Sequence, residues 1–154
     1  MMAARASDFR SIVVGTDGSE TAGEAVERAI ALAADLGAEL WIVCAYEPVP
    51  LSRLVAERRE VPRDMEWMIN PREDVDATLE VAAKVAREAG VEVRTYARQG
   101  DPADAILDVA EEHAANLIIV GNRGLTGAKR FLLGSVPNRI SHYAPCAVLI
   151  IRTP

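Results

Sequence analysis

Cysteine is scarce in this chain: Cys44 and Cys146 are the only two in 154 residues, each inside an apolar run. Such a pair makes no disulfide framework, and no cluster of cysteine and histidine has metal-ligand spacing, so two buried free thiols in a reducing compartment are expected. Basic charge is also short. The net charge of −6 excludes the broad positive field that non-specific nucleic-acid or anionic-membrane binding requires, though not a local phosphate site. No apolar run approaches a membrane span, and residues 1–11 hold no apolar core of signal-peptide length; the expectation is a cytoplasmic protein. Internal repeats and low-complexity tracts are missing, and no domain boundary is visible. A chain of this length can bury a core without staples, so one domain spanning 1–154 is expected.

Three common signatures of nucleotide or acyl chemistry are missing as well. There is no G-x-x-x-x-G-K-S/T phosphate loop, no G-x-G-x-x-G dinucleotide fingerprint and no G-x-S-x-G elbow.

What the chain does have is alternation. Ser11–Thr16 is a short β-branched run that breaks at Asp17-Gly18-Ser19. Apolar residues then recur at helical spacing from about Glu20 to Leu36, with Gly37 as the stop and either Ser19 or Thr21 as the cap. Leu40–Tyr46 is apolar throughout, as a parallel strand covered on both faces should be. The stretch 47–69 follows, with Pro48, Pro50, Pro62, one candidate helical piece at Leu51–Arg59 and the apolar group Met65, Trp67, Met68 and Ile69. A connection that long is uncommon in a compact domain, and its apolar surface must pack on something.

Asn70-Pro71-Arg72-Glu73 opens a second helix by cap and first-turn proline, ending at Gly90. Val91–Ala97 alternates with period two and reads as a half-exposed strand near a sheet edge. Asp101-Pro102 starts a third helix, Leu117–Val120 is a buried strand, and Ser135 as hydroxyl cap begins a short helix that Pro145 ends. Cys146–Ile151 is the last strand. Five strands alternating with four helices imply a single doubly wound α/β sheet, with parallel strands and helices on both faces. In such a sheet ligands bind beyond the carboxyl ends of the strands.

Two loops fit that address: Thr16–Ser19, and the glycine-rich stretch Gly121–Ser135. The second runs from a buried strand to a helix N-terminus, which offers free N–H groups and a positive dipole end to phosphate. Arg123, Lys129 and Arg130 add side-chain charge there; Arg123 is a plausible phosphate contact, and the other two read as surface charges. His113 and His142 fall late in helices, where a cation complements the dipole, so structural roles are expected of them.

The pattern Gly121-x2-Gly124-x9-Gly134-Ser135, with Gly15-Thr16-Asp17-Gly18-Ser19 at the first strand end, resembles the ATP-binding branch of the universal stress protein family. The resemblance covers essentially the whole chain and implies a five-stranded Rossmann-like sheet of order 3-2-1-4-5. It implies that Asp17 would hydrogen-bond the ribose or lie near a magnesium ion, with Thr16 lining the same pocket. Ala45 would offer backbone groups to the adenine edge, and Gly121 would pass beneath the ribose. Gly124, Gly134, Ser135 and Val136 would present N–H and hydroxyl groups to the phosphates of ATP. Glycine suits these positions through close backbone approach and access to positive φ. Pro137, where relatives often carry a small polar residue, removes one N–H. The family's strand order also puts the apolar last strand at a sheet edge, so a homodimer pairing Cys146–Arg152 with its symmetry mate is expected. A nucleotide-dependent sensor or regulator with slow or no hydrolysis is the implied function. A nucleotide enzyme (an ATPase or nucleotidyl transferase) and a ligand-free dimeric scaffold stand beside it.

Overall fold

The computed structural model describes residues 8–18, 20–46, 71–122 and 134–152. Their elements run β1 (Ser11–Gly15), α1 (Glu20–Leu36), β2 (Glu39–Tyr46), α2 (Pro71–Glu88), β3 (Val93–Gln99), α3 (Pro102–Glu112), β4 (Leu117–Gly121), α4 (Ser135–Tyr143) and β5 (Ala147–Ile151). All neighbouring strands are parallel and the sheet order is β3-β2-β1-β4-β5. The expected doubly wound architecture is therefore present. The proposed helix at Leu51–Arg59, the rest of 47–69 and the Asn70 cap lie outside the described residues, as do Ser19 and the choice between the two caps of α1.

Strand side chains alternate between two cores. Ile12, Val14, Leu40, Ile42, Cys44 and Ile119 face α1 and α2. Val13, Trp41, Val43, Ile118 and Val120 face α3, with Ile140 of α4 in the same cluster. The central strands are buried on both faces, which is why β1, β2 and β4 read as unbroken apolar runs.

The third strand begins two residues later than its alternation suggests. The Val91 amide is drawn back to the Ala86 carbonyl at the end of α2, 3.0 Å away, so Val91 belongs to the helix exit, and the Glu92 carbonyl that follows accepts from the Leu40 amide of β2 at 2.9 Å. The strand then follows β2 as far as Gln99 opposite Tyr46, and it is indeed an edge. The last strand starts at Ala147, and Cys146 is only half-buried, so the pair of buried thiols is realised at Cys44 alone.

Candidate functional site

The chain leaves β1 toward β2 through α1 and later enters β4 on the other side of β1. That reversal opens a crevice at the carboxyl ends of β1 and β4. A cleft of about 580 Å³, counted to its open mouth, sits there. Thr16, Asp17, Ala45, Gly121 and Val136 line it, five of the nine residues singled out from sequence. Gly134 and Ser135 stand at the entry of α4, next to Val136. Arg123, Gly124, Lys129 and Arg130 lie outside the described residues.

Local chemistry holds the rim in place. The Thr16 amide donates to the Val43 carbonyl at 2.9 Å, carrying β1 one residue past its formal end. The Thr16 hydroxyl accepts from the Gly18 amide at 3.2 Å, and Gly18 has φ +81°, a left-handed conformation that glycine adopts without strain. This turn swings Asp17 out to solvent at the cleft mouth. Beneath it, Gly15 makes room for a neighbour: a β-carbon there would stand 2.3 Å from Ile106 Cδ1.

The two helix N-termini beside the cleft are finished differently. At α3 the Asp101 carboxylate accepts from the Asp104 amide at 3.1 Å, the usual side-chain cap. At α4 the cap residue is Gly134, not Ser135, and the cap makes no side-chain hydrogen bond to the first turn among the described residues. Ser135 is instead the first helical residue. Gly134 has φ −62° and ψ 166°, extended backbone open to any residue, so positive φ is not the reason for glycine there. A glycine cap brings no oxygen of its own to the first-turn amides, which suits an external anion. Pro137, fully buried in the cleft wall, supplies no N–H to such a cradle.

The other half of the lining is apolar: Val43, Pro102, Ile106 and Val120 make a floor and side wall. These residues were not anticipated. Their apolar character and inward periodicity were visible, but that pattern marks a core position equally well. An apolar floor, a mouth acid and a helix N-terminus together make a slot for a flat apolar ring with an anionic tail.

Asp17 is the single carboxylate among the described lining residues, and these residues contain no cluster of three metal-ligating side chains. One carboxylate fits a magnesium ion that takes its remaining ligands from phosphates and water, as Mg²⁺ usually does. The charge on Asp17 is also felt behind the strand. Burial first, and then Asp17, push the Cys44 thiol up to about 11 from 9.0. Because the folded value is the higher one, folding favours the protonated thiol. The thiol's contribution to stability should be constant below pH 9 and fall as pH rises from 9 toward about 11. Denaturant titrations of the protein and Cys44→Ala over that range should show the slope in the first and a flatter profile in the second.

The two histidines both lie at the ends of helices. His113 is the C-cap of α3, with its ring 4.9 Å from Trp41 and 5.1 Å from Tyr96. His142 sits in the last turn of α4. No described helix is long and apolar enough to cross a membrane.

The fold, with its cleft at the switch point, is that of a Rossmann-like, doubly wound α/β domain. Comparison with known proteins makes the assignment narrower: residues 8–152 match the model of the universal stress protein family, and the chain belongs to that family. It is 34% identical to universal stress protein MJ0531 of Methanocaldococcus jannaschii, over 95% of this chain and 84% of that protein. It is 35% identical to universal stress protein YxiE of Bacillus subtilis, over 94% of this chain and 99% of that one. A universal stress protein solved in complex with cAMP superposes with a TM-score of 0.70 at 33% identity, covering 95% and 98% of the two chains.

Proposed function

We propose that this universal stress protein binds an adenine nucleotide, ATP assisted by Mg²⁺, in the cleft between β1 and β4. It then acts as a nucleotide-dependent sensor or regulator with slow or no hydrolysis, in the cytoplasm. The reading takes 1–154 as one nucleotide-binding domain interrupted at 47–69. The observation that carries it is the cleft itself, where Thr16, Asp17, Ala45, Gly121 and Val136 meet beside the glycine-capped α4. The apolar floor would take the base, Asp17 the ribose or the metal, and the loop of Gly121, Arg123, Gly124, Gly134, Ser135 and Val136 the phosphates. The cAMP complex of a relative 33% identical supports an adenine ligand; the choice of ATP rests on the glycine spacing.

A sensor differs from an enzyme in turnover. Among the described lining residues no group other than Asp17 is placed to serve as a base. Phosphate release from Mg-ATP should stay near background while binding saturates. Sustained multiple turnover, lost in Asp17→Asn, would make the protein an ATPase instead. Binding of no nucleotide at all would leave the scaffold reading.

The homodimer belongs to the same proposal. β5 is an edge strand paired only with β4 among the described residues, and Leu149 on it is 40% exposed. An apolar edge of this kind favours association through Cys146–Arg152. Light scattering should give a dimer at micromolar concentration and a monomer for Leu149→Lys; a monomeric parent protein would refute the pairing.

A further inference from the structure

On the face of the sheet covered by α1 and α2, the two helices pack on the strands more than on each other. Between them runs a groove of about 900 Å³, counted to its open mouth. Among the described residues it is lined by Gly23 and the buried Val26 and Ile30 of α1, and by Thr78, Val81 and Val85 of α2. Val81 is 68% and Val85 44% exposed. They lie four residues apart and so share one side of the helix. The inward positions of α2 are already filled by Val75, Leu79 and Ala83. Two further valines bordering a trough make an apolar surface of the kind that binds a partner.

Gly23 is the unexpected part of the lining. It stands inside α1 without a left-handed φ, where glycine only lowers helix propensity. Beyond its own helix backbone, no described atom lies within 4 Å of the place a β-carbon would take. Packing among the described residues therefore gives no reason for glycine there. A missing side chain does let another backbone approach closely, and the open side of Gly23 is the groove.

The charges beside the groove are mostly negative. Glu27 lines it, and Glu24 lies one turn earlier on α1. On α2, Asp74 and Glu88 fall on the stripe of Val81 and Val85, one at each end, and both are exposed. Lys84 is the described cation of α2 close to that stripe. Arg87 falls on the opposite side of the helix, paired with Glu80 at 2.8 Å.

We propose that this groove docks an amphipathic helix of another protein, apolar along one face and basic along its edges. An apolar trough receives a helix through side chains spaced at i, i+3, i+4 and i+7. The wall from Thr78 to Val85 runs about 10 Å at the helical rise, room for about two turns laid alongside. Acids on both rims select lysine or arginine at the edges of that helix. They also disfavour a second copy of this chain, because two such grooves face to face would set acid against acid. The assignment does not depend on nucleotide binding.

The probe is a dye-labelled synthetic helix of leucine and lysine with all its leucines on one face, titrated with the full chain by fluorescence anisotropy. Binding should saturate at one peptide per chain and weaken as salt is added. The same composition with leucines scattered around the helix, and a version with glutamate for lysine, should bind at least about ten-fold more weakly. Gly23→Leu improves helix propensity while filling the groove from within, and should cost at least about ten-fold in affinity. Val81→Lys, which sets a like charge on the exposed wall, gives the same readout should the leucine variant not fold. Equal binding of the scattered peptide, or affinity unchanged in the folded variants, would overturn the proposal. So would a parent chain that binds no peptide because its own connecting segment, or a second copy, already fills the groove.

Discussion

Replacing Asp17 with alanine should weaken adenine-nucleotide binding about ten- to a hundred-fold, the loss of one charge-assisted hydrogen bond of roughly 1.5–3 kcal/mol. The fold should survive, because Asp17 is exposed at the cleft mouth and packs in neither core. Asp17→Asn separates the two parts of the effect. It keeps a short polar side chain that can hold the turn but loses the charge a metal needs. Binding should therefore recover partly without Mg²⁺ and gain little when Mg²⁺ is added. A readout away from the nucleotide checks that the carboxylate is ionised where the structure puts it. Asp17 is the second cause of the raised Cys44 value, after burial. In Asp17→Ala the pH profile of Cys44 alkylation should move down from about 11 while staying above 9.0. Unchanged affinity together with an unchanged alkylation profile would remove Asp17 from the site.

The largest loss of stability should come from Ile42→Ala. Ile42 is fully buried on β2, paired with Val14 of β1 and Thr95 of β3, and packed in the core beneath α1 and α2. Truncating such a side chain removes its transfer free energy and leaves a cavity that neighbouring strands cannot close, about 2–5 kcal/mol in all. With about 2–4 °C per kcal/mol for a domain of this size, thermal unfolding should drop by roughly 10 °C. Calorimetry on the two proteins measures it. A change under about 0.5 kcal/mol, the range of ordinary surface substitutions, would contradict the burial of Ile42 beneath α1 and α2.

The architecture was legible in the sequence because strand and helix periods changed at clear punctuation. Gly37 and Gly90 each follow a helix with positive φ, and the Asp101 cap with Pro102 behind it appears as read. The misread boundaries share a cause. Val91 continues the alternation of β3, yet its amide closes the end of α2, and period alone does not register that claim on the backbone. At α4 the serine hydroxyl looked like the better cap, and the structure uses Gly134.

The site divides along similar lines. Its polar rim was visible at Thr16, Asp17 and Gly121, because loop chemistry stands out where an apolar run stops. The floor of Val43, Pro102, Ile106 and Val120 was not visible as a floor. Inward spacing says that a side chain faces another element, and the space left between them depends on how α3 sits over the sheet. Ile106 illustrates this: it is simply an inward helix position until the missing β-carbon of Gly15 shows the room it needs.

The claim that the β1–β4 cleft is a seat for adenine nucleotides is tested most directly by titration calorimetry of the full chain with Mg-ATP, ADP, AMP and cAMP. Saturable binding of Mg-ATP at one site per chain, with the other adenine nucleotides competing for that site, is the predicted result. No heat from any of the four at millimolar concentration would contradict it.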